Sequence, residues 1–177
     1  KSEKQERRKK KKNKVKTFSV PFALDEIKEN ISISTNTPSK PSKEQIIHQA
    51  FKFHSQGNIP EASKYYQQFI NQGFKDHRVF SNLGLIFRDL GKIEEAEISI
   101  RKAIELNPSS ANAHYNLGLI FRDLGRVEEA EISIRKAIEV NPNFTIANLS
   151  LGMILESSGK TDQAKECYQK ALKIDKE

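Results

Sequence analysis

The sequence has few of the residues that cross-link chains or build a large aromatic core. It contains one cysteine, Cys167, one methionine and no tryptophan in 177 residues. One cysteine excludes an intrachain disulfide and is typical of a reducing compartment, so we expect a cytoplasmic protein. The longest apolar runs are only a few residues, too short to span a bilayer. No apolar segment follows the charged opening residues, so they do not form a secretory signal.

Motifs for catalysis and metal binding are also lacking. His48 and His54 are six residues apart, which does not place both on one helix face at metal-ligand spacing. The sequence has no Cys-x-x-Cys, His-Glu-x-x-His, phosphate loop or nucleophile elbow. We interpret Cys167 as a packing or surface residue. The sequence therefore predicts that the chain is not an enzyme and has no catalytic residue, metal or cofactor.

Positive charge is concentrated at the N-terminus. Residues 1–16 hold ten Lys and Arg against Glu3 and Glu6, whereas residues 43–177 hold 18 basic and 18 acidic residues. A block of like charge lacks apolar surface to offset its ordering entropy, so it is predicted to be disordered. Such a tail could neutralise nucleic-acid phosphates or adhere to an anionic membrane. The tail lacks the interleaved aromatics that would stack on nucleic-acid bases. Neither use is favoured over a solvated tail.

The next segment differs in composition. Leu24, Ile27 and Ile31 follow helical spacing after Pro21, which predicts a short docking helix near residues 21–31. Residues 32–42 are small and polar and include two prolines, as linkers do. We therefore interpret residues 1–42 as a tail and linker.

A 34-residue unit follows, and it is written twice. Residues 77–110 and 111–144 are identical at 24 of 34 aligned positions. A fixed period of this length is typical of stacked units that share one continuous core, and such stacks bind partners more often than they catalyse reactions. The same register divides the chain into units 43–76, 77–110, 111–144 and 145–177. A position below is a residue's number within its unit.

Helix breakers occur at matching places in the two central units. Gly91 and Gly125 stand where a left-handed residue ends a first helix, and Pro108 and Pro142 stop a second helix. Each unit is thus predicted to be helix–turn–helix, with first helices near 78–90 and 112–124 and second helices near 93–106 and 127–140.

Small residues repeat where the helices of a pair would touch. Position 8 is alanine or glycine in every unit, and position 20 is always alanine. Larger apolar residues are predicted to fill the layers between helices, as apolar helical stripes normally do: Leu83, Phe87, Ile100, Ile104, Leu117, Phe121, Ile134 and Ile138.

This pattern resembles the tetratricopeptide repeat family, in its bacterial form. Residues 111–144 carry the family's residues at Leu117, Gly118, Phe121, Ala130, Ile134, Ala137 and Pro142, and residues 77–110 match similarly. His114 stands where the family prefers a bulky aromatic, so we interpret it as packing. The resemblance covers 135 of 177 residues. It implies an all-α, right-handed superhelical solenoid of about four units, preceded here by a disordered basic tail.

The end units depart from the family pattern. The last unit has Thr161 and Glu166 where earlier units have Ile93 or Val127 and Ile98 or Ile132. We interpret this as an array that caps itself, unless the natural chain continues past Glu177. Related proteins often carry such repeats ahead of further repeats or a catalytic domain.

The resemblance also implies a ligand groove lined by the first helices. Position 6 supplies asparagines, position 9 an apolar row and position 12 arginines. The candidate peptide-binding residues are Asn82, Leu85, Arg88, Tyr115, Asn116, Leu119, Arg122 and Met153.

Two of these residue types have a chemical use in binding peptides. Asn82 and Asn116 can donate to and accept from an extended peptide backbone, like a two-rung version of the asparagine ladder of glycosyltransferase arrays. Arg88 and Arg122 can hold carboxylates. The alternative is that the asparagines are common packing residues of the family and that the arginines form solvated pairs with Asp89 and Asp123.

The leading prediction is an adaptor or scaffold that binds a protein or peptide in the concave groove. The first alternative is the targeting arm of a larger enzyme, such as a glycosyltransferase, with catalysis beyond Glu177. A lower alternative is nucleic-acid association through residues 1–16. The sequence names neither the partner nor the oligomeric state.

Overall fold

The computed structural model describes residues 41–175, and this range is all-α. Its eight helices form four antiparallel pairs that begin one repeat period apart, at residues 43, 77, 111 and 145. The predicted all-α repeat fold is confirmed. The basic tail and the helix expected near residues 21–31 lie outside the described residues. The helices are α1 (Lys43–Ser55), α2 (Ile59–Asn71), α3 (His77–Asp89), α4 (Ile93–Leu106), α5 (Ala111–Asp123), α6 (Val127–Val140), α7 (Thr145–Ser157) and α8 (Thr161–Ile174).

Helix boundaries follow from local capping. Asp76 and Ser110 accept hydrogen bonds from first-turn amides, so α3 and α5 begin one residue earlier than expected. Gly91 and Gly125 both have φ of 72°, the left-handed conformation predicted at the end of each first helix. The predicted bounds of α4 and α6 are confirmed.

Small residues bring the two helices of each pair into close contact. Ala96 and Ala130 are fully buried. A Cβ atom built on Gly118 would lie 2.5 Å from Ile134 Cγ1 and 3.2 Å from the carbonyl oxygen of Ala130. On Gly84, the same atom would lie 2.6 Å from Ile100. The predicted role of these residues in helix contact is therefore confirmed.

The core of the described residues falls into two clusters. One contains buried residues of α1, α2 and α3, and the other contains buried residues of α4 to α8. The half-buried ring of Phe87 packs against both. The boundary between the clusters therefore lies between α3 and α4, and Phe87 connects the two clusters.

Ion pairs link successive repeats at recurring positions. Arg126 Nη1 lies 3.0 Å from Glu97 Oε2, and Lys160 Nζ lies 2.9 Å from Glu131 Oε2. In each case position 21 of one unit binds position 16 of the next. Partly exposed pairs of this kind contribute little energy, on the order of 1 kcal/mol or less, but they fix the register between repeats.

One expectation about the second helices is wrong. The self-capping interpretation used the change from Ile98 and Ile132 to Glu166, which would expose a polar residue only if these isoleucines were buried in the earlier units. They are instead 70% and 66% exposed, on the outer sides of α4 and α6. The exchange of isoleucine for glutamate at this position therefore gives no support to a self-capping last unit.

Candidate peptide-binding surface

The eight candidate residues lie on three first helices, α3, α5 and α7. Leu85 and Leu119 are half-buried at position 9, and Met153 at the same position of α7 is 61% exposed. Ile146 and Leu149, on the same side of α7 as Met153, are 51% and 40% exposed. The surface is therefore an apolar row that becomes more open toward α7.

The two candidate arginines converge on one carboxylate. Arg88 Nε lies 2.5 Å from Asp123 Oδ2, and Arg122 Nη2 lies 3.2 Å from Asp123 Oδ1. The expected pair of Arg122 with Asp123 is present. Arg88, by contrast, bonds to Asp123 of the following repeat, because position 12 of one first helix faces position 13 of the next. We call Arg88, Arg122 and Asp123 the arginine cluster, which carries a formal charge of +1.

Protonation of Asp123 is controlled by these neighbours. Partial burial favours the neutral acid, but hydrogen bonds from Arg88 and the charges of both arginines outweigh it and lower the pKa of Asp123. The ionised carboxylate therefore predominates at neutral pH and keeps the two guanidinium groups together.

Replacement of Asp123 with asparagine should reduce the acid sensitivity of the fold. A lowered folded pKa gives stability that is present above the unfolded aspartate value of about 3.9 and is lost as the pH falls through the folded value. We expect an effect of at most about 1 kcal/mol, since solvent screens partly exposed pairs. Urea denaturation at neutral and acid pH would measure it. Asp89→Asn, at the same position one unit earlier, is the control, and an equal effect there would contradict the assignment.

The two asparagines contact neighbouring helices. Asn82 Nδ2 donates to Tyr66 Oη at 2.8 Å, and the same hydroxyl lies 2.8 Å from His54 Nδ1. Asn116 is 8% exposed, and its Nδ2 lies 3.3 Å from Ser81 Oγ. Both amide groups thus donate within the array. The asparagine ladder stays a prediction, and a peptide would have to use the amide oxygens or displace these contacts.

Sequence reasoning missed the role of Tyr66 in this network. Its side chain is fully buried, and burial raises the pKa of the phenol against the opposing hydrogen bond from Asn82. The neutral hydroxyl can therefore accept from Asn82 and donate to His54. The available signal was the tyrosine at position 24, where both central units have isoleucine.

Tyr115 and His114 stabilise connections next to the surface. The Tyr115 ring centroid lies 5.3 Å from that of Phe144, and its hydroxyl lies 3.2 Å from Ser150 Oγ on α7. Tyr115 is therefore part of the joint between α5 and α7. His114 is half-buried, and its Nε2 lies 2.9 Å from the carbonyl oxygen of Pro108, to which it donates.

The part of the chain that the structure describes contains no group of three or more His, Cys, Asp or Glu side chains able to hold a metal ion. Cys167 is half-buried and packs against the larger core cluster, and burial raises the pKa of its thiol. Among residues 41–175, no helix is long and apolar enough to cross a membrane.

Four helix pairs that begin one repeat period apart define a helical-repeat protein. Profiles of the tetratricopeptide repeat match residues 81–143 and 146–177, together more than half of the chain. The chain belongs to the tetratricopeptide repeat family. Repeats of this family generally mediate protein–protein interactions.

Solved structures share the fold at low sequence identity. A crystal structure of MamA has 24% identity and a TM-score of 0.71, over 77% of this chain and 80% of that chain. Residues 41 to the end of MamA from Desulfovibrio magneticus RS-1 have 16% identity and a TM-score of 0.69, over 77% of each chain. PilF of Pseudomonas aeruginosa has 20% identity and a TM-score of 0.68, over 75% of this chain and 61% of that chain. No curated protein matches the chain.

Proposed function

We propose that the chain is an adaptor that binds a peptide segment of a partner protein along α3, α5 and α7. The observation that carries this proposal is the apolar row of Leu85, Leu119 and Met153 beside a cluster of two arginines and one aspartate. The row offers burial for apolar side chains, which contributes about 25 cal/mol for each Å² removed from water.

The arginine cluster specifies the chemistry of the partner segment. Each arginine lies three residues after the leucine at position 9 of the same helix. The arginine and the leucine are therefore neighbours on one helix face. The Arg122 side chain is 42% exposed, and Asp123 neutralises only one of the two positive charges. A carboxylate of a bound peptide can therefore bind Arg122, and each of the two carboxylates then has a positively charged partner. We infer a segment that carries an acidic side chain next to apolar ones.

A degenerate peptide library tests this specificity. Ten-residue fluorescent peptides with apolar residues would be compared with and without a central Asp or Glu. We expect the acidic peptides to bind at least tenfold more tightly, and Arg122→Gln to remove most of that difference, because a charge-assisted hydrogen bond contributes about 1.5–3 kcal/mol. Fluorescence anisotropy at two salt concentrations would measure it.

Arg135→Gln is the matched control. Arg135 has a side chain 47% exposed and pairs with Glu131, but it lies on the second helix α6. Its replacement should leave peptide affinity unchanged. Equal binding of acidic and neutral peptides, or an equal loss in both variants, would count against the arginine cluster as the specificity element.

The other two functions gain no support from the described contacts. The enzyme-arm alternative concerns sequence beyond Glu177, and the asparagine ladder that is similar to glycosyltransferase arrays has its amide donors bound to Tyr66 and Ser81. Residues 1–16, which suggested nucleic-acid or membrane association, lie outside the described residues.

A further inference from the structure

The first helix of the array has a polar outer side. In α3, α5 and α7, positions 3, 7 and 10 pack on the preceding repeat and are at most 7% exposed: Val79, Leu83, Ile86, Ala113, Leu117, Ile120, Ala147, Leu151 and Ile154. In α1 the same positions are Gln45, Gln49 and Lys52, and Gln45 and Lys52 are exposed. The N-terminal end is thus built to face water, as a capping repeat is.

The opposite end of the described array is apolar. Leu149, Met153 and Leu172 are 40%, 61% and 61% exposed on α7 and α8. Ile146 adds a further 51% exposed side chain at position 2, where earlier units have polar residues. We call these four residues the apolar edge. They make up half of the exposed large apolar side chains among the described residues.

Interior repeats show what normally covers these positions. Leu172 corresponds to Ile104 and Ile138, which pack into the core cluster shared with the following repeat. Leu149 corresponds to Tyr115, which contacts Phe144, the residue just before α7, and Ser150 of the following unit. The apolar edge is therefore an inter-repeat surface without a covering helix among residues 41–175.

The charge at this edge differs from that of the interior repeats. In the interior, Glu97 and Glu131 at position 21 bind the basic residue at position 16 of the next unit. The last unit has the exposed Lys165 at position 21, so it cannot form the pair that the interior glutamates form with a basic residue. An occupant with an acid at this place would be attracted. Glu156, exposed on α7 beside the apolar edge, is such an acid, and its Oε2 also accepts a hydrogen bond from Tyr168 Oη at 2.8 Å.

The edge therefore carries an apolar strip together with Lys165 and Glu156, two exposed side chains of opposite charge. A head-to-tail contact would set this strip against the polar side of α1, so it is disfavoured. A two-fold contact sets the strip against itself and Lys165 of one copy near Glu156 of the other, in the isologous manner of most homodimers. We propose that the apolar edge binds the same edge of a second copy of this chain.

The mass of the full 177-residue chain in solution tests the dimer. At about 100 µM, where a micromolar contact is mostly formed, light scattering coupled to size exclusion should give twice the chain mass of 20.2 kDa. The double variant Leu149→Lys and Leu172→Lys should be monomeric, with affinity weakened at least a hundredfold. A monomeric wild-type chain would overturn the proposal and leave the edge to a different helix.

Further variants distinguish a specific contact at this edge from nonspecific association of exposed apolar residues. Ile98→Lys with Ile132→Lys makes the same change on exposed isoleucines of α4 and α6, and it should leave the dimer intact. Lys165→Glu should weaken the dimer, and the swap of Lys165→Glu with Glu156→Lys should restore it. A monomeric isoleucine variant would contradict a two-fold contact at this edge. A charge swap that does not restore the dimer mass would also contradict it. Circular dichroism would verify that each variant is folded.

Discussion

Gly118→Ala should destabilise the array, although alanine is normally the better helix former by about 1 kcal/mol. The added Cβ would lie 2.5 Å from Ile134 Cγ1 and 3.2 Å from the carbonyl oxygen of Ala130. The flexible isoleucine can move, but the backbone oxygen cannot without separating α5 from α6. We expect a net loss of about 1–3 kcal/mol through overpacking, measured by urea denaturation.

The same substitution in an Ile134→Ala background is the control. Truncation of this fully buried isoleucine removes the nearest atoms, and it costs about 2–5 kcal/mol by itself. The added methyl should then cost much less, so the two changes should be strongly non-additive. Gly84→Ala, which meets Ile100 in the other copy of the unit, should repeat the effect. A gain of stability at Gly118 would show that the close approach of α5 and α6 is not as described.

Phe87→Ala should separate the unfolding of α1 and α2 from that of the last four helices. Phe87 packs against both core clusters, so its loss removes a contact between them as well as apolar burial. We expect a cost of about 2–3 kcal/mol, below the range for a fully buried phenylalanine. Stability in stacked repeats depends on contacts between neighbours, so weakening one joint should divide one transition into two.

Hydrogen exchange read by mass spectrometry would follow each helix separately. In the variant, amides of α1 and α2 should exchange at a lower free energy than those of α5 to α8. Phe121→Ala is the matched control, because Phe121 has the same position in the next unit but lies within one cluster. It should lower the protection of α4 to α8 without creating a new division. Loss of protection in all helices together after Phe87→Ala would contradict the two-cluster core.

Most of the fold was predictable because the same 34-residue unit occurs twice in the chain. Identical breakers in two copies fixed the ends of α4 and α6, and Gly118 and Ala130 identified the close helix contact. Each of these features depends on residues within one unit. Local propensity, helical period and tertiary packing all agree there, and such agreement makes a pattern easy to interpret.

The candidate surface was less predictable because its contacts join different units. The pairing of Arg88 with Asp123 depends on how one first helix is placed against the next, and a sequence period does not give that placement. Ile98 illustrates a second limit. It is apolar and recurs in both copies, yet it is exposed, since its helix has neighbours on only some sides. The apolar edge likewise depends on the exposure of each position in the folded array, which the sequence period does not give.

The single methionine of the chain offers a direct test of peptide binding along α3, α5 and α7. Met153 is 61% exposed at the open end of the apolar row. A chain with a ¹³C-labelled methionine methyl group has one such resonance. It would be titrated with the tightest acidic library peptide, in the Leu172→Lys variant to weaken self-association. We predict a saturable shift of this resonance with the affinity seen by anisotropy. Peptide binding that leaves the Met153 methyl unshifted would contradict a binding surface that extends to α7.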